Sequence, residues 1–390
     1  MPEDRSGGRP EHRFPPGESG GSGLAGVDAG GLTVHVRHEP SGGRAGETIG
    51  FRAADFGSLD ALLHHCLTMI GRTPRVLVAG VAGQPRPNGD VRVTNRPDWP
   101  VFRRDRFAAT YGIQVETVND MEATVAGVGE LDESGYQRLT PAAEGGTGPG
   151  ARLVVAVGSG VGVGHLDLHG RPHGTEGGHI PWQPRTRRES DYLAWLRDRR
   201  TGARVPVPAP VPTRHAAAPA ATPASGPAHT PAGVSVEESI SGERGFAHLY
   251  DFMALSIDPA PLLAAGVERA RSERLGIAPL VIAGALAGDE FCVEVMRLFG
   301  GILGQFLRSM ALVTLGRGGS VWLCGSVLRS PGVADFLMAD GCLMAAFRPA
   351  GGEPADFLAE IPIHLVHDRE IGVRGALVLG RSRCESTGRH

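Results

Sequence analysis

The sequence contains no lysine: all 39 of its fixed cationic side chains are arginines. That absence excludes a GxxxxGK[ST] nucleotide loop and any Schiff-base lysine. A GC-rich coding sequence accounts for the bias. Cysteine is sparse as well. Cys66, Cys292, Cys324, Cys342 and Cys384 are scattered, odd in number and form no CxxC. They read as reduced, mostly buried thiols of a cytoplasmic protein. No run of about 18 uncharged apolar residues is present, and the N-terminus lacks an apolar signal core. Neither sign of charge is in large excess. The net charge is -3 and the pI near 6.6, so no broad basic face for nucleic acid is expected. What remains is a chain of 390 residues, 41% of them hydrophobic. That length can build a substantial core and two domains.

The most informative stretch is Leu153 to Gly164, LVVAVGSGVGVG, with Glu176-Gly177-Gly178-His179 soon after. Leu153, Val154, Val155 and Val157 form an apolar run that reads as a buried strand. The strand enters Gly158-Ser159-Gly160, which has no bulk and presents backbone N–H groups and one hydroxyl. Such amides converge on an anion, so this is a place to hold a phosphate. Glu176 and His179 then supply a carboxylate and an imidazole around a flexible glycine pair. A phosphate cradle beside a polar pocket points to phosphoryl transfer onto a hydroxyl, although glycine turns after strands are common.

Earlier in the chain, Leu24 to Val36 reads as strand, tight turn, strand. Asp28 suits a metal-bound water and the glycines at 30 and 31 suit a phosphate. An ordinary hairpin explains this segment better when it is taken alone. Ser58 to Ile70 reads as a capped amphipathic helix, ended by Gly71. His64 and His65 fall outside its apolar face and make a poor metal pair. A strand at 75–82, a turn at Asn88-Gly89, a returning strand at 91–95, a short helix near 103–111 and a strand at 114–118 follow. That last strand ends in Asn119-Asp120. Polar groups at a strand's C-terminal edge commonly face a ligand crevice. Asp120 can accept a proton from a sugar hydroxyl, or it can cap the helix expected over 121–128. Both readings stand.

From about residue 202 to 232 the chain becomes rich in proline and alanine, without apolar periodicity. This insertion reads as a partly polyproline-II linker with no core. Beyond it the sequence predicts helices ending at Met253, over 259–275 and over about 287–315. Strands are expected at 320–324 and 361–366, with a terminal helix at 372–379.

Together these segments resemble bacterial glucokinases of the hexokinase-like, actin-type ATPase superfamily, from about Leu24 to Leu379 without the insertion. In that family a DxGGTN loop contacts nucleotide phosphates; Asp28-Ala29-Gly30-Gly31-Leu32-Thr33 stands in its place. A glucose-binding Asn-Asp at a strand end is similar to Asn119-Asp120. The GxGTGLG phosphate loop resembles Gly158 to Gly164, and EGGH recurs unchanged at Glu176 to His179. VSAERVLSG, which supplies another sugar-binding Glu, resembles Val234 to Gly242 and carries that role to Glu237. A glycine pair of the adenosine motif resembles Gly325-Ser326. IPVYLIVHDNPGLLGSGA resembles IPIHLVHDREIGVRGA near the C-terminus.

The resemblance implies an α/β, two-domain actin-like ATPase fold, ribonuclease H-like, with a cleft between the domains. A tail at 1–23 reads as disordered. Residues 24–132, completed by 367–390, would form the small domain and residues 133–366 the large one. The implied ligands are glucose, ATP and Mg²⁺; no nucleic acid or membrane partner is implied, and a homodimer is compatible. Asn119, Asp120, Glu176, His179 and Glu237 would bind sugar, with Asp120 as catalytic base. His179 also reads as a residue that ties the EGGH turn. The donor phosphates would meet Asp28, Gly30, Gly31, Thr33, Gly158, Ser159, Gly160 and Gly325. No direct metal ligand is implied, but Asp28 would reach Mg²⁺ through water. Leu32 and Val161 replace family threonines, Thr33 an asparagine, His35 an arginine and Ser326 a glycine. The departures thus concentrate on the donor side. A catalytically weak sugar-binding regulator, or a sugar kinase with another phosphate donor, is the competing reading.

Overall fold

Where strands pair in parallel they are buried on both faces and read as unbroken apolar runs; hairpin strands alternate. Both patterns occur twice in this chain. The computed structural model describes residues 23–141, 150–201, 233–316, 318–351 and 353–387. The expected disordered tail and the Pro/Ala-rich insertion lie outside the described residues.

The first sheet contains β1 (Leu24–Ala29), β2 (Thr33–Glu39), β3 (Ile49–Arg52), β4 (Val76–Val81) and β5 (Gln114–Asn119), in the order β3-β2-β1-β4-β5. The second contains β6 (Tyr136–Arg138), β7 (Ala151–Val157), β8 (Val161–Leu166), β9 (Pro172–Thr175), β10 (Gly319–Cys324) and β11 (Ile363–Val366), in the order β6-β11-β10-β7-β8-β9. Each sheet contains an antiparallel meander whose first member is extended by two parallel strands, and in the second sheet the short β6 adds antiparallel to β11. The turn between β1 and β2 therefore has a counterpart between β7 and β8. Those two turns are Gly30-Gly31 and Gly158-Ser159-Gly160.

One face of the first sheet packs Val27, Val34 and Leu77 against Leu59, Leu62, Leu63 and Cys66 of the helix Leu59–Ile70. That helix begins as expected: the Ser58 hydroxyl accepts from the Ala61 N–H at 3.1 Å, and Gly71 closes it at φ 63°. The other face packs Leu24, Val76, Val78 and Val118 on Ala376 and Leu377 of the helix Ile371–Thr387. Residues from the two ends of the chain thus share one core.

The helix Asp120–Gly129 joins the sheets. Its Ala123 belongs to the core of the first, while Met121, Val125 and Val128 pack on Val154 and Trp322 of the second. The opposite face of the second sheet, with Leu153, Val155 and Val157, packs on the 25-residue helix Glu290–Thr314. Burying these apolar faces at about 25 cal/mol per Å² is the main favourable term. No helix among the described residues is long and apolar enough to cross a membrane.

Three expectations need correction. Residues 91–95 form no strand; only an isolated bridge joins Val91 to Phe102. Asp90 accepts from the Arg103 guanidinium and the Arg104 N–H, which bends the chain away from an extended partner. The helix Ala278–Leu286 separates two expected helical regions, and Asp289 caps the long helix by accepting from the Cys292 N–H. The helix Arg187–Thr201 was also not anticipated, because its charged residues conceal the buried Tyr192, Leu193 and Leu196. The cysteines behave as expected: Cys66, Cys292 and Cys324 are buried, and no disulfide joins any of the five among the described residues.

The crossing of the helices Asp120–Gly129 and Ile371–Thr387 is tight enough to test. A methyl group on Gly375 would overlap the Ala123 carbonyl oxygen. Gly375→Ala is expected to destabilise the protein by about 1–3 kcal/mol through overpacking, read as a lower urea midpoint at unchanged slope.

Candidate active site

The matched turns face each other across a cleft of about 560 Å³. It is lined from the first sheet by Asp28, Gly30, Gly31, Asn119 and Asp120, and from the second by Gly158, Ser159, Gly160, Glu176, His179 and Glu237. Gly325 lines it too. Of the residues singled out from the sequence, only Thr33 is absent from the lining. It opens β2 as an exposed residue whose methyl group faces Gly50, while its neighbour Leu32, 56% exposed, faces the cleft.

Asn119, 4% exposed, ends β5 and is firmly oriented. Its amide donates to the Gly83 carbonyl at 3.1 Å, and its oxygen accepts from the Met121 N–H at 2.9 Å. Asn119, and not Asp120, is thus the cap of the helix. Asp120 is the first helical residue. Its Oδ1 shares the Met121 N–H at 2.9 Å, and its Oδ2 lies against the backbone of Gly30. Any side chain at position 30 would overlap this carboxylate, so the close approach requires glycine.

Burial pushes the Asp120 carboxyl up to about 7, and the neighbouring charges of Asp28 and Glu176 add to the shift. Asp28 is raised for the same first reason, burial, and held back by the Gly30 N–H, His35 and Arg329. The Gly30 N–H donates to Asp28 at 3.2 Å and fixes the turn. The Asn95 amide holds the same turn by donating to the Gly30 carbonyl at 3.0 Å. Asn95 carried no signal that sequence reasoning used.

On the opposite wall, β9 runs into Glu176, and a single short turn of helix, Gly177–His179, follows. His179 Nε2 stands 3.5 Å from Glu176 and its Nδ1 3.9 Å from Glu237. The imidazole therefore lies between two carboxylates, and it is 55% exposed to the cleft. Glu237 comes from the first turn of the helix Val236–Ile240, which Ser235 caps. The Val236 N–H donates to the Ile180 carbonyl, so this helix is tied to the EGGH turn. One contact crosses the cleft: the Gln84 amide donates to Glu176 at 3.3 Å.

The glycine turn after β7 is held from behind. The Gly242 N–H donates to the Gly158 carbonyl at 2.7 Å. At the end of β10, Gly325 adopts φ 96°, and a side chain there would overlap the backbone of Val157. That left-handed corner brings Ser326 beside Gly158 and lets the Val327 N–H bond to the Val157 carbonyl at 3.0 Å. The space where side chains would stand at Gly30 and Gly325 is taken by Asp120 and by the Val157 backbone, so these glycines let the walls of the cleft approach closely. Among the described residues no cluster of three or more His, Cys, Asp or Glu suits a metal. Asp28 is the carboxylate of this half that would hold a Mg²⁺ through a bound water.

The family model described as Glucokinase matches residues 26–208 and 228–382. A glucokinase of Allorhizobium ampelinum is 29% identical over 286 residues, covering 72% of this chain and 70% of the relative. Two solved structures are similar in fold. A Balamuthia mandrillaris glucokinase in complex with glucose has a TM-score of 0.67 at 18% identity, covering 93% of this chain and 94% of its own. A ROK family glucokinase from Streptomyces griseus, in complex with glucose and AMPPNP, has a TM-score of 0.59 at 18% identity, covering 92% and 99%. The fold is the two-lobed actin-like ATPase fold seen in the paired sheets, and the extent of the family match leaves one conclusion: the chain belongs to the glucokinase family.

Proposed function

We propose that this protein transfers the terminal phosphoryl group of MgATP to the 6-hydroxyl of glucose, with Asp120 as general base. The observation that carries the reading is the position of Asp120. It stands between two glycine turns suited to phosphates and a wall of sugar-binding groups, with a carboxyl near 7. A base with that proton affinity is about half ionised at neutral pH, which suits proton abstraction. We also assign residues 24–132 with 367–390 to the small domain and 133–366 to the large one, in the cytoplasm.

In this reading Asn119, Glu176, His179 and Glu237 fix the sugar through its other hydroxyls and aim the sixth at Asp120. Several fixed polar partners are what reject sugars lacking one of those hydroxyls. Asp120 takes the hydroxyl proton as the sugar oxygen bonds to the terminal phosphorus. The bond from that phosphorus to the bridging oxygen breaks, and ADP leaves with the electron pair. Gly31 and Ser159 present N–H groups to the phosphates, the Gly30 and Gly158 N–H groups being held by Asp28 and by the Gly160 carbonyl, and Asp28 holds a water of the metal shell. Mg²⁺, when bound, neutralises charge on the phosphate oxygens. Closing the cleft would exclude water as a competing acceptor. The Gln84–Glu176 contact shows that the two walls already touch.

Leu32 is the observation that favours the second reading, a sugar-binding regulator or a kinase with another donor. It puts an exposed apolar side chain where a hydroxyl would face the phosphates.

Asp120→Asn is expected to abolish nearly all turnover in a coupled assay while calorimetry still detects glucose, since the amide keeps shape but accepts no proton. The same variant should be more heat-stable than the wild type at pH 8. Asp120 binds its proton more tightly when folded, so its stabilising contribution is present below about pH 4 and lost as pH rises through about 7. The gap in Tm should therefore close towards pH 5. Near-normal turnover in the variant removes Asp120 from the role of base.

The pH profile gives a separate measurement. For the wild type, kcat/KM for glucose should rise about tenfold per pH unit below 7 and level off above it, as Asp120 ionises in the free protein. A profile flat from pH 5.5 to 8 contradicts the assignment.

For the donor side, Leu32→Thr should raise transfer from MgATP, by roughly tenfold for each 1.36 kcal/mol of barrier removed, and leave the Kd for glucose unchanged. Glucose binding without transfer in both proteins would favour the regulator. A fast wild type slowed by the substitution would show that Leu32 is no defect.

A further inference from the structure

The donor half of the cleft lacks two hydroxyls but not positive charge. Arg329 and Arg369 both line it, together with Asp28, Gly30 and Gly158. We infer that Arg329, with Arg369 beside it, is the cationic clamp on the terminal phosphates of the donor, a role that the side chains of Leu32 and Val161 cannot fill. The inference rests on the proposed phosphoryl transfer and names the groups that receive its anion.

The backbone places Arg329 for this role. Its N–H donates to the Gly325 carbonyl at 3.1 Å, so it lies one turn beyond the corner that meets the Gly158 turn. Its Nη1 donates to the Asp368 carbonyl at 3.3 Å. That carbonyl belongs to the residue before Arg369, and the two guanidinium groups therefore enter the cleft from adjoining loops, one after β10 and one after β11. They differ from their neighbours in pairing. Arg374 bonds to Asp368 at 2.8 Å, and Arg37 stands 3.5 Å from Glu370. Among the described residues no carboxylate stands within ion-pair distance of either Arg329 or Arg369. Arg329 is close enough to Asp28 to lower its proton affinity, which locates its charge at the first phosphate turn.

The chemistry matches. A guanidinium has five N–H donors in a planar fork, and the one protein carbonyl bonded to Arg329 leaves most of them available. Such a fork bonds phosphate oxygens in a bidentate way, and its charge persists across the working pH range. Of the other two arginines that line the cleft, Arg244 is paired with Glu237 at 3.5 Å and Arg96 bonds to the Asn95 carbonyl at 3.4 Å. A donor anion seated here would also lie beside Asp28, which holds the metal-shell water in the proposed reading.

The alternative is that Arg329 is a strut fastening the loop after β10 to the loop after β11. The test compares the wild type with Arg329→Gln and Arg329→Ala. KM for MgATP is measured at saturating glucose, and glucose, Mg·AMPPNP and magnesium tripolyphosphate are titrated by calorimetry. The expected result is a rise of roughly tenfold or more in KM for MgATP, with a parallel loss of tripolyphosphate affinity, as for one lost charge-assisted hydrogen bond. Glucose affinity and Tm should stay near wild type. Added guanidinium ion at millimolar concentration should restore part of the turnover of Arg329→Ala, which no strut would permit. Arg369→Gln should show the same pattern more weakly, since that side chain is exposed. A KM for MgATP within about twofold of wild type overturns the inference. So does a fall in glucose affinity and Tm equal to the fall in donor affinity. If the wild type transfers no phosphate yet binds Mg·AMPPNP through Arg329, the phosphoryl-transfer reading fails and the anion site stands. If it binds neither probe, both fall.

Discussion

The structure depends on one crowded point, where the carboxylate of Asp120 lies against the backbone of Gly30. Asp120 begins the helix that is packed between both sheets, and Gly30 forms the turn of the first hairpin. The same contact therefore sets the depth of the phosphate turn, the start of the connecting helix and the proton affinity of the carboxyl. Desolvation is the largest contribution to that affinity, and the charges of Asp28 and Glu176 add to it. Folding must hold like charges together in poorly solvated surroundings, which is unfavourable in itself. The apolar packing of Met121, Val125 and Val128 directly behind the site offsets that cost. This is the usual relation between a strained polar site and the core beneath it.

The repetition of topology explains why the two glycine turns meet. Each sheet contains a hairpin, β1–β2 in the first and β7–β8 in the second, and both hairpin turns line the cleft between the sheets. A phosphate chain bound as proposed would lie between them. The chemistry is then divided by origin. The first sheet provides Asp28, Asn119 and Asp120, and the second provides Glu176, His179 and Glu237. The proposed binding and proton transfer would therefore require both halves in register, and the Gln84–Glu176 hydrogen bond joins the two.

Much of this was legible in the sequence because the signals were local. Ser58 and Gly71 bracket a helix whose apolar residues recur at helical spacing, and its ends fall where the caps predict. The runs at 76–81 and 153–157 carry no charged or hydrogen-bonding side chain, as suits strands in the interior of a sheet. Other features were hidden. β8 reads VGVGHL, where glycines and a histidine dilute the alternation that its partners impose. Residues 91–95 carry alternating valines, yet Asp90 and its arginine partners turn the chain, and Val91 and Val93 are buried without a strand. Around the site, motif residues were legible and their supports were not. Asn95, Gln84, Arg329 and Arg369 act through positions that only the folded chain brings together. In a sequence with 39 arginines, none of them stands out by type.

The shared core of Leu24, Val76, Val78, Val118, Ala376 and Leu377 has a consequence for biosynthesis. Leu24 leaves the ribosome more than 300 residues before Leu377 does. Until then, that apolar face of the first sheet is covered only in part, by Ala123 of the helix Asp120–Gly129, although all five of its strands have been made. The nascent protein must carry that exposed sheet through the whole synthesis of the second half, at the usual risk of aggregation for an uncovered sheet. Native assembly is therefore tied to the last helix to emerge, and a ribosome that stops short of residue 371 releases a chain whose first half cannot be finished.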